Sequence, residues 1–319
     1  MYHRDRGLRL DFANAGLYAL AERALRGRRR PIEQSLARSR VPRAAMRELL
    51  EDGYRRLGPR ALLRVGRGIE EVEFHPLIDA LLRAASPQEL IERWIRLERF
   101  GHARNRTRLL RSRPHELALQ RCARGAPRPS EAENLVILGL ICAVLERAGC
   151  RGVRAWVGRR APELMLLPAR GAAPDRAWLR GRTARWWIRW SGEPPMPPPD
   201  RTPAARDPSG APLGRAAALR LAGDPGRRWL LATLARELGV QSRTLQRRLR
   251  EADLTFSELL RAARIREACR LLVDTDWSLT AIGFSCGFAD AAHFSRDFHR
   301  AAGLPPSVYR ETARGTPRR

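Results

Sequence analysis

Two stretches near the C-terminus, about 48 residues apart, repeat one apolar skeleton with different polar residues. The first sets Leu231, Leu234, Ala235, Leu238, Gly239 and Val240 ahead of Leu245 and Leu249. The second sets Leu279, Ile282, Gly283, Cys286, Gly287 and Phe288 ahead of Phe294 and Phe298. The offset is 48 through the turn glycine and 49 in the segment after it, so the second copy has one extra residue in its turn. Apolar spacings of three and four, broken at a glycine and then resumed, describe a helix-turn-helix. An internal copy of it implies two small trihelical units side by side.

The polar positions say what such units can touch. Across Gln241–Glu251, the residues Arg243, Gln246, Arg247 and Arg250 recur at helical spacing opposite Leu245 and Leu249, with Thr244 beside them. Arginine pairs bidentately with guanine and glutamine with adenine in the DNA major groove, each good pair discriminating by about 1–3 kcal/mol. A solvated helix face is the plain alternative for any one such helix, and the repeat weighs against it. The matching face of the second copy is Ala292, Ser295, Arg296 and His299. Arg296 is its strong donor, while His299 suits a phosphate or solvent. The expectation is that the first helix reads bases and the second mainly holds position on the backbone. Between the copies, 256–272 reads as one helix, about 26 Å long at about 1.5 Å per residue. Such a strut can hold two readers in major-groove segments about 34 Å apart. Arg264 on this strut is assigned to a phosphate, and Arg261, Arg266 and Arg270 are expected to keep its outer side basic.

Over roughly 100 residues this region resembles the AraC/XylS transcription regulators. The resemblance is carried by Leu245-Gln246-Arg247-Arg248-Leu249, the helix ending Arg264 to Leu272, and Ile282 to Phe288. It continues through Phe294-Ser295-Arg296, Phe298, Gly303, Pro306 and Tyr309-Arg310. It implies an all-α tandem helix-turn-helix, homeodomain-like module whose two recognition helices enter adjacent major grooves. This chain departs from the family at Gln241 (usually a serine cap), Gly283 (usually alanine), and Ala291 and Ala292 (often polar). In its helix order and in Leu90 to Arg108, the N-terminal part is similar to the arabinose-binding-like regulatory domain of some family members. That likeness implies an effector-sensing or dimerising role, assigns no effector-binding residue, and leaves the effector unknown.

The formal net charge of +27 suits a polyanionic partner, yet most of the excess lies outside the repeat. All 61 basic residues are arginine, which codon bias in a GC-rich genome accounts for. Charge therefore supports a nucleic-acid partner without establishing one. The five cysteines, Cys122, Cys142, Cys150, Cys269 and Cys286, are scattered and form no C-x-x-C pair, so neither a metal nor a disulfide framework is expected. Three of them, Cys142, Cys269 and Cys286, read as small core residues; Cys122 and Cys150 are weighed as redox sensors. No cofactor is indicated. The start of the chain lacks a signal-peptide pattern, and no apolar run spans a membrane, so a cytoplasmic, nucleoid-associated protein is expected.

Before the repeat, helices are expected at 15–25, 42–57, 76–85 and 87–98, the last with Ser86 as N-cap and Glu89 as capping-box partner. The basic stretch Gly101–Arg108 reads as a solvated turn, with an anion site as the alternative. A strand over 116–123, an apolar helix over 131–148, and strands over 152–157 and 183–190 follow, giving a mixed α/β, mostly helical regulatory domain. Residues 191–212 are proline-rich and read as an extended linker. The expected organisation is thus 1–190 regulatory domain, 191–212 linker, 213–312 double helix-turn-helix and 313–319 basic tail.

Taken together, the residues indicate a sequence-specific regulator of transcription that binds double-stranded DNA and answers to a small molecule. RNA polymerase and a second copy of the chain are further candidate partners. An architectural, non-specific nucleic-acid binder is the alternative. A DNA alkyl-transfer enzyme is disfavoured, because Arg121-Cys122-Ala123-Arg124 lacks the activated Pro-Cys setting that chemistry needs.

Overall fold

Ser130 and Glu133 cap each other's backbone ahead of a long apolar run, and there the chain builds its most buried helix, Glu131–Arg147. The Ser130 hydroxyl accepts from the Glu133 N–H at 3.2 Å, and the Glu133 carboxylate accepts from the Ser130 N–H at 2.8 Å. Nearly every side chain from Ala132 to Leu145 is buried, so this helix needs apolar partners all round rather than a single stripe.

The computed structural model describes residues 12–27, 40–71, 74–102, 104–123, 125, 127–167, 174–192, 212–252 and 254–315. Among these, two compact units form. Residues between 12 and 71 and between 77 and 192 make the first; 74–76 and those from 212 to 315 make the second. Of the expected linker 191–212, Ser191 ends a strand and Pro212 opens a helix, and 193–211 lie outside the described residues, as do 316–319 of the basic tail.

In the first unit, strands β1 (Phe12–Asn14) and β2 (Arg40–Pro42) pair antiparallel beside helices Ala15–Arg26, Arg43–Leu57 and Pro59–Val65. Gly58 and Pro59 end one helix and open the next. Helices Pro76–Leu82 and Pro87–Gly101 follow. Ser86 caps the latter, accepting from the Glu89 N–H at 3.1 Å. The Glu89 carboxylate reaches back to the Ala85 N–H rather than to that of Ser86, so the expected reciprocal box closes one residue early.

A five-stranded antiparallel sheet completes the unit, in the order β3 (Asn105–Arg113), β4 (Glu116–Ala123), β7 (Arg185–Ser191), β5 (Arg151–Val157) and β6 (Leu164–Leu167). Strands β3 and β6 were not expected from the sequence. The solvated-turn reading of Gly101–Arg108 is corrected here, because its second half is edge strand. Asn105 and Thr107 face inward, the first donating to the Glu133 carboxylate at 3.2 Å and the second bonding Glu98 beside buried Arg121. Burial and the nearby Arg121, Arg43 and Arg106 push His102 down to about 3, so its ring is neutral within this polar cluster.

Strand pairing sorts side chains by face, since opposed residues project to the same side. The row Leu117, Ile188 and Ala155 is buried, as is the row Leu119, Trp186 and Val157. The opposite face carries the row Ala118, Trp187, Trp156 and Met165, flanked by a row of Glu116, Arg189 and Arg154.

The second unit is wholly helical: Pro212–Gly223, Leu231–Glu237, Ser242–Glu251, Phe256–Asp274, Leu279–Ser285, Ala291–Ala302 and Pro306–Arg314. The connecting helix is two residues longer at its C-terminal end than the expected 256–272. Thr255 and Glu258 form its capping box. The fold class is therefore the expected one, a mixed α/β first unit and an all-α tandem helix-turn-helix.

Candidate DNA-binding surface

Each half of the repeat closes on its own core. Leu234, Ala235, Leu245 and Leu249 pack with Ala217, Leu221, Trp229 and Leu254, and the Trp229 indole donates to the Asp224 carbonyl at 2.8 Å. The second half replaces leucines with a ladder of rings. Phe288–Phe294, Phe294–Phe298 and Phe298–Tyr309 have centroids 5.3, 5.7 and 5.4 Å apart. Both turns pass through a left-handed glycine, Gly239 at φ 67° and Gly287 at φ 78°. The Gly283 departure has a steric reason. A Cβ there would stand 3.1 Å from Phe294 Cβ and 3.3 Å from its Cγ, closer than ordinary contact, so glycine lets the two helices approach tightly here.

On the first recognition helix, Ser242–Glu251, the residues Arg243, Gln246, Arg247 and Arg250 are exposed together, with Thr244 half-buried beside them. No acid pairs with Arg243 or Arg250 among the described residues. Arg247 pairs with Glu251 at 2.7 Å, and Arg248 with the other oxygen of the same carboxylate at 3.0 Å. Exposed pairs of this kind are worth about 0–1 kcal/mol, so Glu251 orients Arg247 without withholding it from a ligand. Gln241 stands at the N-cap in extended backbone, but its side chain makes no cap bond, as its departure from serine implies.

The second recognition helix, Ala291–Ala302, is capped by Asp290, whose carboxylate accepts the His293 N–H at 2.6 Å. That bond holds the Asp290 carboxyl below its usual range. Ala292 and Arg296 are exposed, Ser295 and His299 half-buried. On the inner side lies a knot the sequence reading missed. Asp297, nearly buried, receives Arg261 of the connecting helix at 3.2 Å, Arg300 at 3.1 Å and His293 at 3.6 Å. Arg261 and Asp297 are 36 residues apart, which hides the pairing from any local pattern.

The connecting helix differs most from expectation. Its arginines, read as an exposed basic side, mostly engage protein. Arg264 is half-buried, donates to the Pro225 carbonyl at 3.2 Å and lies 5.8 Å from the Phe288 ring centroid. Burial pushes its guanidinium below the usual arginine range. Arg266 lies 5.0 Å from the Phe74 centroid, and Arg270 pairs with Glu267 at 2.6 Å. Arg310 donates to the Leu272 carbonyl at 3.1 Å and Arg314 to that of Val273 at 3.0 Å, satisfying groups the connecting helix leaves open at its end.

The thiols are as apolar as their sequence setting suggests. Cys142, Cys269 and Cys286 are buried, and burial raises Cys286 to about 12. Cys150 is also buried and raised to about 12, the wrong direction for a reactive thiolate. Cys122 is half-buried, its Sγ 3.5 Å from the Arg106 carbonyl. No group of three or more metal-ligating side chains gathers among the described residues, and no described helix is long and apolar enough to cross a membrane.

Known proteins are similar to this part of the chain in sequence. Residues 234–312 match a family model described as "Helix-turn-helix domain". The HTH-type transcriptional regulator GadX of Escherichia coli O157:H7 is 34% identical over 92 residues, which are 28% of this chain and 34% of that protein. The transcriptional activator RhaS of Escherichia fergusonii is 40% identical over 79 residues, 24% of this chain and 28% of its own length. The chain thus spans about a third of the length of the curated relatives it matches. Among solved structures, a DNA-binding transcriptional dual regulator from Escherichia coli K-12 aligns with a TM-score of 0.32 and 27% identity, covering 34% of this chain and 96% of that one. The DNA-binding domain of AdpA, solved with a target DNA, aligns with a TM-score of 0.27 and 28% identity, covering 31% and 89%. Over residues 234–312 this chain is thus similar to AraC-type helix-turn-helix regulators.

Proposed function

We propose that this protein is a sequence-specific regulator of transcription that reads two adjacent major-groove segments of double-stranded DNA. One observation carries the reading: Arg243, Gln246, Arg247 and Arg250 stand exposed on one side of a helix whose other side is locked into a core. Those donors suit base edges. Arg296 and the half-buried Ser295 and His299 give the second helix less to say to bases, so it serves the backbone. Arg264 supports DNA binding by holding the two halves together, and any phosphate contact it makes is secondary to that.

The first unit is the effector-sensing part, and 1–190, 191–212, 213–312 and 313–319 act as sensor, linker, reader and basic tail. A small molecule bound by the sensor would shift operator occupancy or contact with RNA polymerase, with a homodimer as the working form. The protein works in the cytoplasm, at the nucleoid, and catalyses no reaction. Selection of bound DNA from a random pool, using the full chain with and without cell extract, tests the core of this reading. A bipartite consensus with its two blocks about one helical turn apart is expected. Recovery of unenriched DNA would replace it with the architectural alternative.

A further inference from the structure

Most of the chain's positive charge lies outside the DNA-reading unit, and the sheet of the first unit shows where part of it gathers. Pairing of β3 to β4, β4 to β7 and β7 to β5 puts Arg108, Arg185, Arg189 and Arg154 on one sheet face with Trp187 and Trp156. Arg111 and Arg113 continue that face along the edge strand. Glu116 is the single acid in these rows, and it already pairs with Arg189 at 2.6 Å.

Arg185 is half-buried and donates to the Arg159 carbonyl at 2.9 Å, while two other arginines of the face remain open. Arg108 and Arg154 are exposed, and no acid pairs with either among the described residues. Arg189, over half exposed, lies 5.4 Å from the Trp156 ring centroid, within cation–π reach. Beneath them Trp187 is buried and Met165 is 42% exposed. This is a cationic sheet face with one partly open aromatic ring, Trp156. Its inner counterpart, by contrast, is filled by apolar residues in the manner of any sheet that packs on a helix.

We propose that this face is a second nucleic-acid contact, taking the phosphate backbone of duplex DNA without regard to sequence. Charge complementarity is the ground for it: like-charged arginines spaced along paired strands repel one another, and phosphates relieve that repulsion while releasing counterions. Choosing DNA over another polyanion rests on the reading above, since the tandem readers keep DNA at high effective concentration.

The test uses the full chain and two versions of one variant pair. R108E/R154E removes two unpaired, exposed cations; R108K/R154K keeps the charge but not the fork. Binding to a duplex of scrambled sequence is titrated at several salt concentrations. The glutamate variant is expected to weaken binding roughly tenfold or more and to flatten the slope of log K against log salt by about 2. The lysine variant should keep the parent slope. An unchanged slope in the glutamate variant overturns the proposal, and if self-association weakens instead, the occupant is a second copy of this chain. Equal loss in both variants also overturns it, because the effect is then one of packing, which a lowered melting temperature would register. Failure of the regulator reading looks different: the random-pool selection yields no consensus while the salt slope still falls.

Discussion

The two half-readers share a backbone and a turn glycine, yet they solve their packing in opposite ways. The first is built on leucines and alanines around Trp229 and leaves its recognition helix without a side-chain cap from Gln241. The second is built on four rings, capped by Ser278 and Asp290, and tied inward through Asp297. Both recognition helices sit on buried cores; the first exposes Arg243, Gln246, Arg247 and Arg250, and the second offers little beyond Arg296. Positions that close a helix-turn-helix core admit only apolar side chains, so both copies keep them. Positions on the outer face close no core, and those are where the two copies differ, Arg243, Gln246, Arg247 and Arg250 against Ala292, Ser295, Arg296 and His299.

The turn glycines give the sharpest contrast and the largest expected effect. At Gly287 a Cβ would meet Arg264 Nη2 and the Gly226 carbonyl, both at 2.8 Å, whereas at Gly239 it would meet nothing within 4 Å. Gly239→Ala should therefore cost only left-handed strain, about 1–2 kcal/mol. Gly287→Ala should add overpacking of about 1–3 kcal/mol. Chemical denaturation of the two variants checks this, and equal losses would mean that the junction around Arg264 is loose.

Next comes base reading. Arg247→Ala is expected to lose about 1–3 kcal/mol of discrimination at one base pair, while Arg296→Ala weakens all sequences alike. Repeating the random-pool selection with each variant separates them, and a consensus altered by Arg296→Ala would give the second helix a share in reading. Capping offers a smaller lever. Gln241→Ser should stabilise the first recognition helix by about 0.5–1 kcal/mol, bringing it closer to the second, as a rise in melting temperature would show.

The smallest effect is confined to acid. The His293 N–H holds the Asp290 carboxyl below the ordinary aspartate range, so the cap contributes fully above that range and is lost as pH falls through the lower folded-state value. The first half-reader has no acidic cap to lose. Asn keeps the cap without titrating, so Asp290→Asn should remove this part of the acid dependence, as melting curves between pH 5 and 3 would register.

Much of the second unit was legible because its signals are local. Leu245 and Leu249, or Phe294 and Phe298, lie one helical turn apart and mark a buried side whatever the partner is. Arg264 was legible as a helix residue but not as a strut, since Pro225 and Phe288 reach it from two different connections. In the first unit the strand containing Trp186 and Ile188 stood out by composition. Strand β3 did not, because its arginine-rich edge has no apolar alternation to show and it is held by β4 on one side only. Tertiary pairing overrode the local preference there.

By itself the sequence determined the tandem repeat, the apolar skeleton of both readers and the unequal chemistry of their exposed faces. Each depends on residues within a few turns of one another. Only the tertiary structure decided which arginines are free. Arg243 and Arg250 project from their helix with no acid paired to them among the described residues, while Arg261 and Arg264 are drawn inward by Asp297 and Pro225, 36 and 39 residues away. It likewise placed Arg108, Arg154 and Arg189 on one sheet face, because strand pairing joins segments that no spacing along the chain connects.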